Sequence, residues 1–295
     1  MYEDDDIIAV DKPCGMPTIA PEGSRTRSLY DVVTDHIRRR NPKGRAAVVH
    51  RLDRDTSGVI IFAKHAAAKA ALMSSWNESV DERLYVALIE GTLPSAEGTL
   101  DTWLSESDPY LVREVPAGTK GSLRAITRYR VVAQGDGLSL VELSLETGRR
   151  HQIRAQLAGA GCPVAGDERY GARRDPLGRL GLHAAVISIR PPSGGDPLRL
   201  ECPPPAAFRA ALKGTADQGR GHRPARDLRG PRDARGPRDA RGPRTPSGRP
   251  APAPAPKHAS RAWPGGGPTA RGKRSSEGGP AKSSAPHSTP TRRKP

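Results

Sequence analysis

The sequence predicts an α+β protein built on one mixed, mainly antiparallel sheet with helices at its flanks. Two observations carry that expectation. Short apolar strand-like runs outnumber helical ones, and the two kinds do not alternate as regularly as a doubly wound sheet requires. A third observation bounds it: hydrophobic residues are 35% of the 295, aromatics 4%, and Gly and Pro number 32 and 30. That is too polar for a membrane protein and too rich in chain breakers for one continuous globule.

The elements follow in order. Ile7–Val10 reads as a strand stopped by Lys12-Pro13. Leu29, Val32, Val33 and Ile37 recur at helical spacing, and Arg38-Arg39-Arg40 close that helix where cations favour its dipole. Ala46–Val49 and Val59–Phe62 are short apolar strands, His65–Trp76 an Ala-rich helix, and Leu84–Ile89 a strand ended by Glu90-Gly91. Leu138–Leu145 alternates with one slip. His151–Ala158 is helical and ends at Gly159 and Gly161, residues that tolerate a left-handed cap. Leu182–Ile189 and Leu198–Cys202 are further strands, and Ala206–Leu212 is a last short helix.

Charge divides the chain. Residues 214–295 hold 19 Lys and Arg against 5 Asp and Glu, a net of +14, with 15 of the 30 prolines. Residues 1–213 are nearly neutral, at +2. We therefore expect a folded domain over 1–213 and a disordered basic Arg/Gly/Pro-rich tail over 214–295. Arg229–Arg244 repeats Arg-Gly-Pro-Arg-Asp-Ala nearly three times, and 250–256 alternates Pro with Ala, so little there can be buried to offset chain entropy. Such a tail is either a soluble appendage or an electrostatic arm for phosphate backbones. Cys14, Cys162 and Cys202 lie far apart and form no C-x-x-C pair, which argues against a zinc site or disulfide framework and for a reducing compartment. Glu3-Asp4-Asp5-Asp6 is acidic where a signal peptide is basic, and no 18-residue apolar run follows. A cytoplasmic protein without membrane contact is expected.

Two stretches are dense in chemistry. His50-Arg51-Leu52-Asp53-Arg54-Asp55-Thr56-Ser57-Gly58 is a loop between two apolar strands, a place where a scaffold holds reactive groups. Arg51 and Arg54 flank Asp53 and favour its ionised form, able to serve as nucleophile or base. Asp55 reads as part of a polar turn. Thr147-Gly148-Arg149-Arg150-His151-Gln152-Ile153-Arg154 follows a strand and opens a helix, which suits anion binding or is simply an exposed basic helix start. Gly166–Gly171 is turn-rich, and a lone histidine such as His183 at the start of an apolar strand is ordinarily a packed core residue.

Taken together, HRLDRDTSG, RLYVALIEG, ETGRRHQIRAQLAGAGCPVAGDERYG and LGLHA, in this order after IIAVDKPCGMP, closely resemble the RluA-type pseudouridine synthases over 1–212. The resemblance implies a pseudouridine synthase fold, a sheet with flanking helices and a catalytic cleft, in a form without an N-terminal S4 domain. It also implies isomerisation of uridine in ribosomal or transfer RNA, breaking the C1′–N1 bond and joining C1′ to C5, with no cofactor or metal. By the same resemblance Asp53 is the nucleophile, Tyr85 lies against the flipped uracil and assists proton removal, and Arg154 pairs with the catalytic carboxylate. Arg51 helps fill the space left by the flipped nucleotide, and His50, Thr56, Arg149, His151, Gln152 and His183 support the site or contact RNA. The expected partner is RNA, and the protein is expected to be a monomer. The physics agrees: a base inside a helix must be extruded and stacked before its glycosidic bond is reachable, and a bidentate Arg154 would orient Asp53. Gln156, Arg83 and Arg150 depart from residues common in the family, where His, Lys and a small hydroxyl residue are usual; these departures are expected to alter RNA contacts.

Two rival readings fit parts of the pattern. One is a catalytically idle RNA-binding protein that keeps the scaffold. The other is a two-carboxylate glycosidase using Asp53 and Asp55, which as alternate residues of an extended segment would sit about 7 Å apart.

Overall fold

The sheet is built where β-branched and apolar residues run uninterrupted. In the computed structural model, which describes residues 1–74 and 76–214, β4 (Ser57–Ala63) is buried at every position, as is β10 (Leu182–Ile189). Strands covered on both faces cannot show a two-residue alternation, and these read as continuous apolar runs. The expected tail lies outside the described residues, apart from Gly214.

Around these two strands the described residues form one eleven-stranded sheet. β1 (Tyr2–Glu3) pairs with β2 (Ile7–Lys12), and β2 with β4. A two-residue β3 (Ala47–Val48) also lies on β4. On the other side β10 pairs with β5 (Val80–Glu90), which pairs with β9 (Leu138–Leu145). Then come β8 (Leu123–Gly135), β6 (Glu97–Ser105) and the edge strand β7 (Arg113–Val115). β11 (Leu198–Glu201) returns along the second half of β10. Every pairing is antiparallel except one: β4 and β10 run parallel for two residues, His183 beside Ser57 and Ala184 beside Gly58. That short seam joins the two halves of the sheet.

Helices α1 (Leu29–Arg38), α2 (Ala66–Ser74), α3 (Trp76–Ser79), α4 (Gln152–Gly159) and α5 (Ala206–Ala211) complete the fold. Ser28 caps α1 and Asp31 returns the bond in a capping box, while Leu29, Val33 and Ile37 face the core. Val32, expected on the apolar face, is 37% exposed. The Ala-rich helix expected over 65–76 ends at Ser74, and Trp76 begins the separate turn α3. No helix of the described residues is long and apolar enough to cross a membrane.

The sequence reading missed β1, β6, β7 and β8. In β8, Ala125, Thr127 and Tyr129 face inward while arginines 124, 128 and 130 pair outward with Asp101, Glu146 and Glu142. A strand with a charged outer face and a buried threonine lacks the apolar contrast by which strands are found.

Gly58 is the tightest point of the seam. Its φ is +111°, and a Cβ there would stand 2.1 Å from the Ala184 carbonyl oxygen. Gly58→Ala should therefore lower unfolding free energy by about 3 kcal/mol, from left-handed strain plus overpacking. Chemical denaturation of the pair checks this; an unchanged midpoint would mean that the seam yields freely.

Candidate active site

Asp53 sits at the tip of the loop between β3 and β4, and the last residue of β2 and the segment after it grip that loop on both sides. Thr18 Oγ1 donates to the Leu52 carbonyl at 2.7 Å and accepts from the Leu52 N–H at 3.2 Å. On the other side Lys12, fully buried, donates to the carbonyls of Arg54, Met16 and Pro13 at 2.8, 2.7 and 3.0 Å. Gly15 N–H also donates to Arg54 O, and Arg54 Nε to Gly15 O. Burial pulls the Lys12 ammonium down to about 8, while its three carbonyl acceptors each take one N–H of the charged form. The backbone before and after Asp53 is thus fixed by groups 34 to 42 residues away in sequence. Asp55, two residues on, is exposed and its carbonyl accepts from Cys14 Sγ, which fits a turn.

The Asp53 carboxylate, 19% exposed, faces a cation. Arg154 Nη1 donates to Asp53 Oδ2 at 3.3 Å. The expected bidentate contact is made elsewhere: Arg154 Nε and Nη2 donate to Asp167 Oδ2 and Oδ1 at 2.6 and 2.8 Å. Asp167 is 2% exposed, so the shorter, drier pair is the one that orients the guanidinium. Asp167 and Asp53 together raise the Arg154 pKa against its burial, leaving it charged throughout. Tyr170 lies beneath it, with the guanidinium carbon 4.8 Å from the ring centroid.

His151 closes the site. It is non-glycine at φ +50°, at the N-cap of α4. Its Nδ1 is 3.0 Å from the Tyr170 hydroxyl, and that hydroxyl accepts from the Val112 N–H. The tyrosine proton is then directed to Nδ1, which places the imidazole N–H on Nε2, 3.7 Å from Asp53 Oδ2. Burial lowers the His151 pKa, with Asp53 opposing.

Tyr85 stands at the centre of the sheet, beside Ala184 on β10 and Leu143 on β9. Its hydroxyl makes no hydrogen bond to the described residues, and burial pushes its pKa up to about 12, so the phenol stays protonated at neutral pH. Asp53, Tyr85, Arg154, Arg51, Thr56, Arg149, His151 and Gln152 all line one open cleft.

Three expected site residues are tied to the protein's own backbone. Gln152 is buried and holds the loop, accepting from Thr147 Oγ1 and Arg149 N–H and donating to Thr127 Oγ1 and Ile126 O. His183 is buried in the seam. Arg179 donates to Ser57 Oγ, which directs the serine proton to His183 Nδ1 at 2.8 Å, and Nε2–H donates to Cys202 O. It supports the scaffold behind the loop and touches no cleft. His50 accepts the Ile61 N–H on Nε2 at 3.0 Å, and its pKa is pushed down to about 4 by burial and by Arg83. Of the family departures, Gln156 is fully buried and ties α4 to Leu100, Thr102, Ala125 and Thr127, so it corrects the expectation of an RNA contact. Arg150 binds the carbonyls of Asp108 and Pro109 and faces Glu106, holding the loop after β6.

Asp167, Tyr170, Lys12 and Thr18 are the residues sequence reasoning passed over. A signal existed for Lys12: a lysine ending an apolar strand is buried only when its charge is served. Asp167 and Tyr170 lay in a block already singled out, but nothing local ties them to Arg154.

A mixed sheet carrying one fixed carboxylate, its arginine and a partly buried phenol in an open cleft is the architecture of an isomerase of the pseudouridine synthase fold. Residues 6–159 match the family model described as RNA pseudouridylate synthase. The RNA pseudouridine synthase YhcT of Bacillus subtilis is 37% identical over 210 residues, covering 70% of this chain and 68% of that one. Ribosomal large subunit pseudouridine synthase D of Neisseria meningitidis is 34% identical over 217 residues, 70% of this chain and 58% of that one. Among solved structures, Human RNA Pseudouridylate Synthase Domain Containing 4 shares the fold, with a TM-score of 0.59 at 23% identity over 72% of this chain and 90% of that one. The chain belongs to the RluA-type RNA pseudouridine synthase family, isomerases that act on RNA.

Two outcomes follow from this geometry. Asp167→Asn keeps the shape of the side chain and removes its charge, freeing Arg154 to reorient. Turnover should fall roughly 10²-fold while circular dichroism is unchanged; normal turnover would mean that Asp53 alone positions the arginine. For His50, the folded value of about 4 lies below the ordinary 6.5. Between those values the unfolded chain binds a proton that the native chain does not, so stability should fall as pH drops from about 6.5 to about 4 and be unaffected above. In His50→Asn this limb should lose about one proton of slope, read from denaturation midpoints across that range.

Proposed function

We propose that this enzyme converts uridine to pseudouridine in large-subunit ribosomal RNA, with Asp53 as nucleophile. What supports the roles is that Asp53, Tyr85 and Arg154, taken from three distant segments, line one cleft. What supports the RNA is the likeness to ribosomal large subunit pseudouridine synthase D, together with the prior expectation of ribosomal or transfer RNA.

The reaction is an internal rearrangement. The N1–C1′ bond breaks, C1′ joins C5, the C5 proton leaves and N1 gains one, so nothing is added or lost overall. The target base is extruded and stacks against Tyr85, whose hydroxyl keeps its proton so that the ring offers a neutral face. Asp53 supplies the negative charge at the sugar–base bond, and Arg154, anchored by Asp167, keeps it aimed. Exposed Arg51 occupies the place of the flipped nucleotide. Residues 214–295, at +14 against +2 for the rest, raise local RNA concentration without reading sequence.

Pseudouridine mapping of total RNA with and without the gene tests the substrate: a vanished position in large-subunit rRNA is expected, and one in tRNA alone would reassign it. Asp53→Asn should abolish turnover with RNA binding kept, Asp55→Asn should retain activity, and Tyr85→Phe should lose turnover with little change in affinity. Near wild-type conversion by Asp53→Asn would remove it as nucleophile. If about five tail cations engage phosphates, truncation after Lys213 should flatten the log–log salt dependence by roughly 3 to 4 units while single-turnover rates at saturation persist. Equal slopes would make the tail passive.

A further inference from the structure

Beside the catalytic cleft lies a second recess that shares Arg51, Asp53, Tyr85 and Arg149 with it and extends to His50, Trp76 and Arg83. Its charges do not balance. Glu106 is answered by Arg150, and Asp53 by Arg154. Arg83, half-buried, donates only to the Glu146 carbonyl at 3.0 Å and has no carboxylate partner among the described residues. Arg51 and Arg149 have none either; Arg149 Nε donates to the Arg124 carbonyl. A half-buried guanidinium without a counter-charge is costly to keep unless an anion visits it. Desolvation accordingly lowers the Arg83 pKa.

The walls suit the rest of a nucleotide. Trp76 and His50 stand with ring centroids 5.1 Å apart and planes tilted by 34°, an aromatic corner of the kind on which bases stack. Gly148 keeps the floor open, since a Cβ there would come within 2.8 Å of Arg83 Nη1. Arg83 and Tyr85 are alternate residues of β5, so they face the same way about 7 Å apart, close to the span of one nucleotide.

Resting on the reading that a uridine of RNA stacks at Tyr85, we propose that this recess binds the nucleotide next to the target, its phosphate on Arg83 with Arg149 and its base against Trp76. The recess thereby reads the strand beside the flipped base and helps set which uridine is accepted.

The test is a binding cycle with full-length protein and the pentaribonucleotide AAUAA, made with a single neutral methylphosphonate on either side of the uridine. At one of the two positions the neutral linkage should weaken binding roughly tenfold, Arg83→Gln should weaken the parent by the same factor, and the two together should be no worse than either. Arg83→Lys should restore sensitivity to that linkage, which a structural role of Arg83 would not. An abasic neighbour on the same side should weaken binding to the wild type and leave Trp76→Leu unaffected. Additive losses, equal sensitivity at all phosphates, or failure of the parent to bind at millimolar concentration would overturn the proposal. Because the cycle scores binding, it stands apart from RNA mapping: lost coupling with intact pseudouridine formation sinks the recess alone, and intact coupling without any pseudouridine sinks the catalytic reading alone.

Discussion

One guanidinium organises the site. Arg154 is gripped in the plane of its fork by the buried carboxylate of Asp167, and only then offers its remaining nitrogen to Asp53. The asymmetry is physical. The dry pair is short and bidentate, so it fixes direction; the more exposed contact is longer and single, so Asp53 keeps acceptor capacity for a substrate. Had the fork closed on Asp53, both of its oxygens would be engaged by protein. Tyr170 serves both ends of this arrangement, with its ring under Arg154 and its hydroxyl on His151.

The loop that carries Asp53 is rigid for a different reason. Its backbone is pinned at Leu52 by Thr18 and at Arg54 by Lys12 and Gly15, so the residue between them has little freedom to move. Behind it the parallel seam of β4 and β10 is locked by Ser57, His183 and the Cys202 carbonyl. Preorganisation of this kind lets an aspartate act without reorganising its surroundings during the reaction. The histidines nearby contribute as neutral acceptors and donors, with burial lowering the pKa of His50, His151 and His183 alike.

Electrostatics is distributed on two scales. The folded portion is nearly neutral overall, yet arginines 51, 83 and 149 meet around the cleft without carboxylate partners among the described residues, while all three arginines of β8 are paired. Local excess charge with global balance favours binding of a phosphate backbone at one place over indiscriminate adhesion.

The sequence by itself determined the class of fold and the buried strands, because apolar runs are local patterns; it drew attention to Asp53 inside a compact polar block, and to Tyr85 and Arg154 through the resemblance to a family. Asp53 and Arg154 were legible as reactive types, each within its own block. Their partnership was not, since 101 residues separate them. Only the tertiary structure decided that Arg154 belongs first to Asp167, that His183 and Gln156 are struts rather than RNA contacts, and that Lys12 and Thr18 hold the loop. The physical reason is common to all of these. Whether a polar side chain is a ligand or a support depends on which backbone groups and charges arrive beside it from elsewhere in the chain, and burial then sets its protonation; neither is written in the residues next to it.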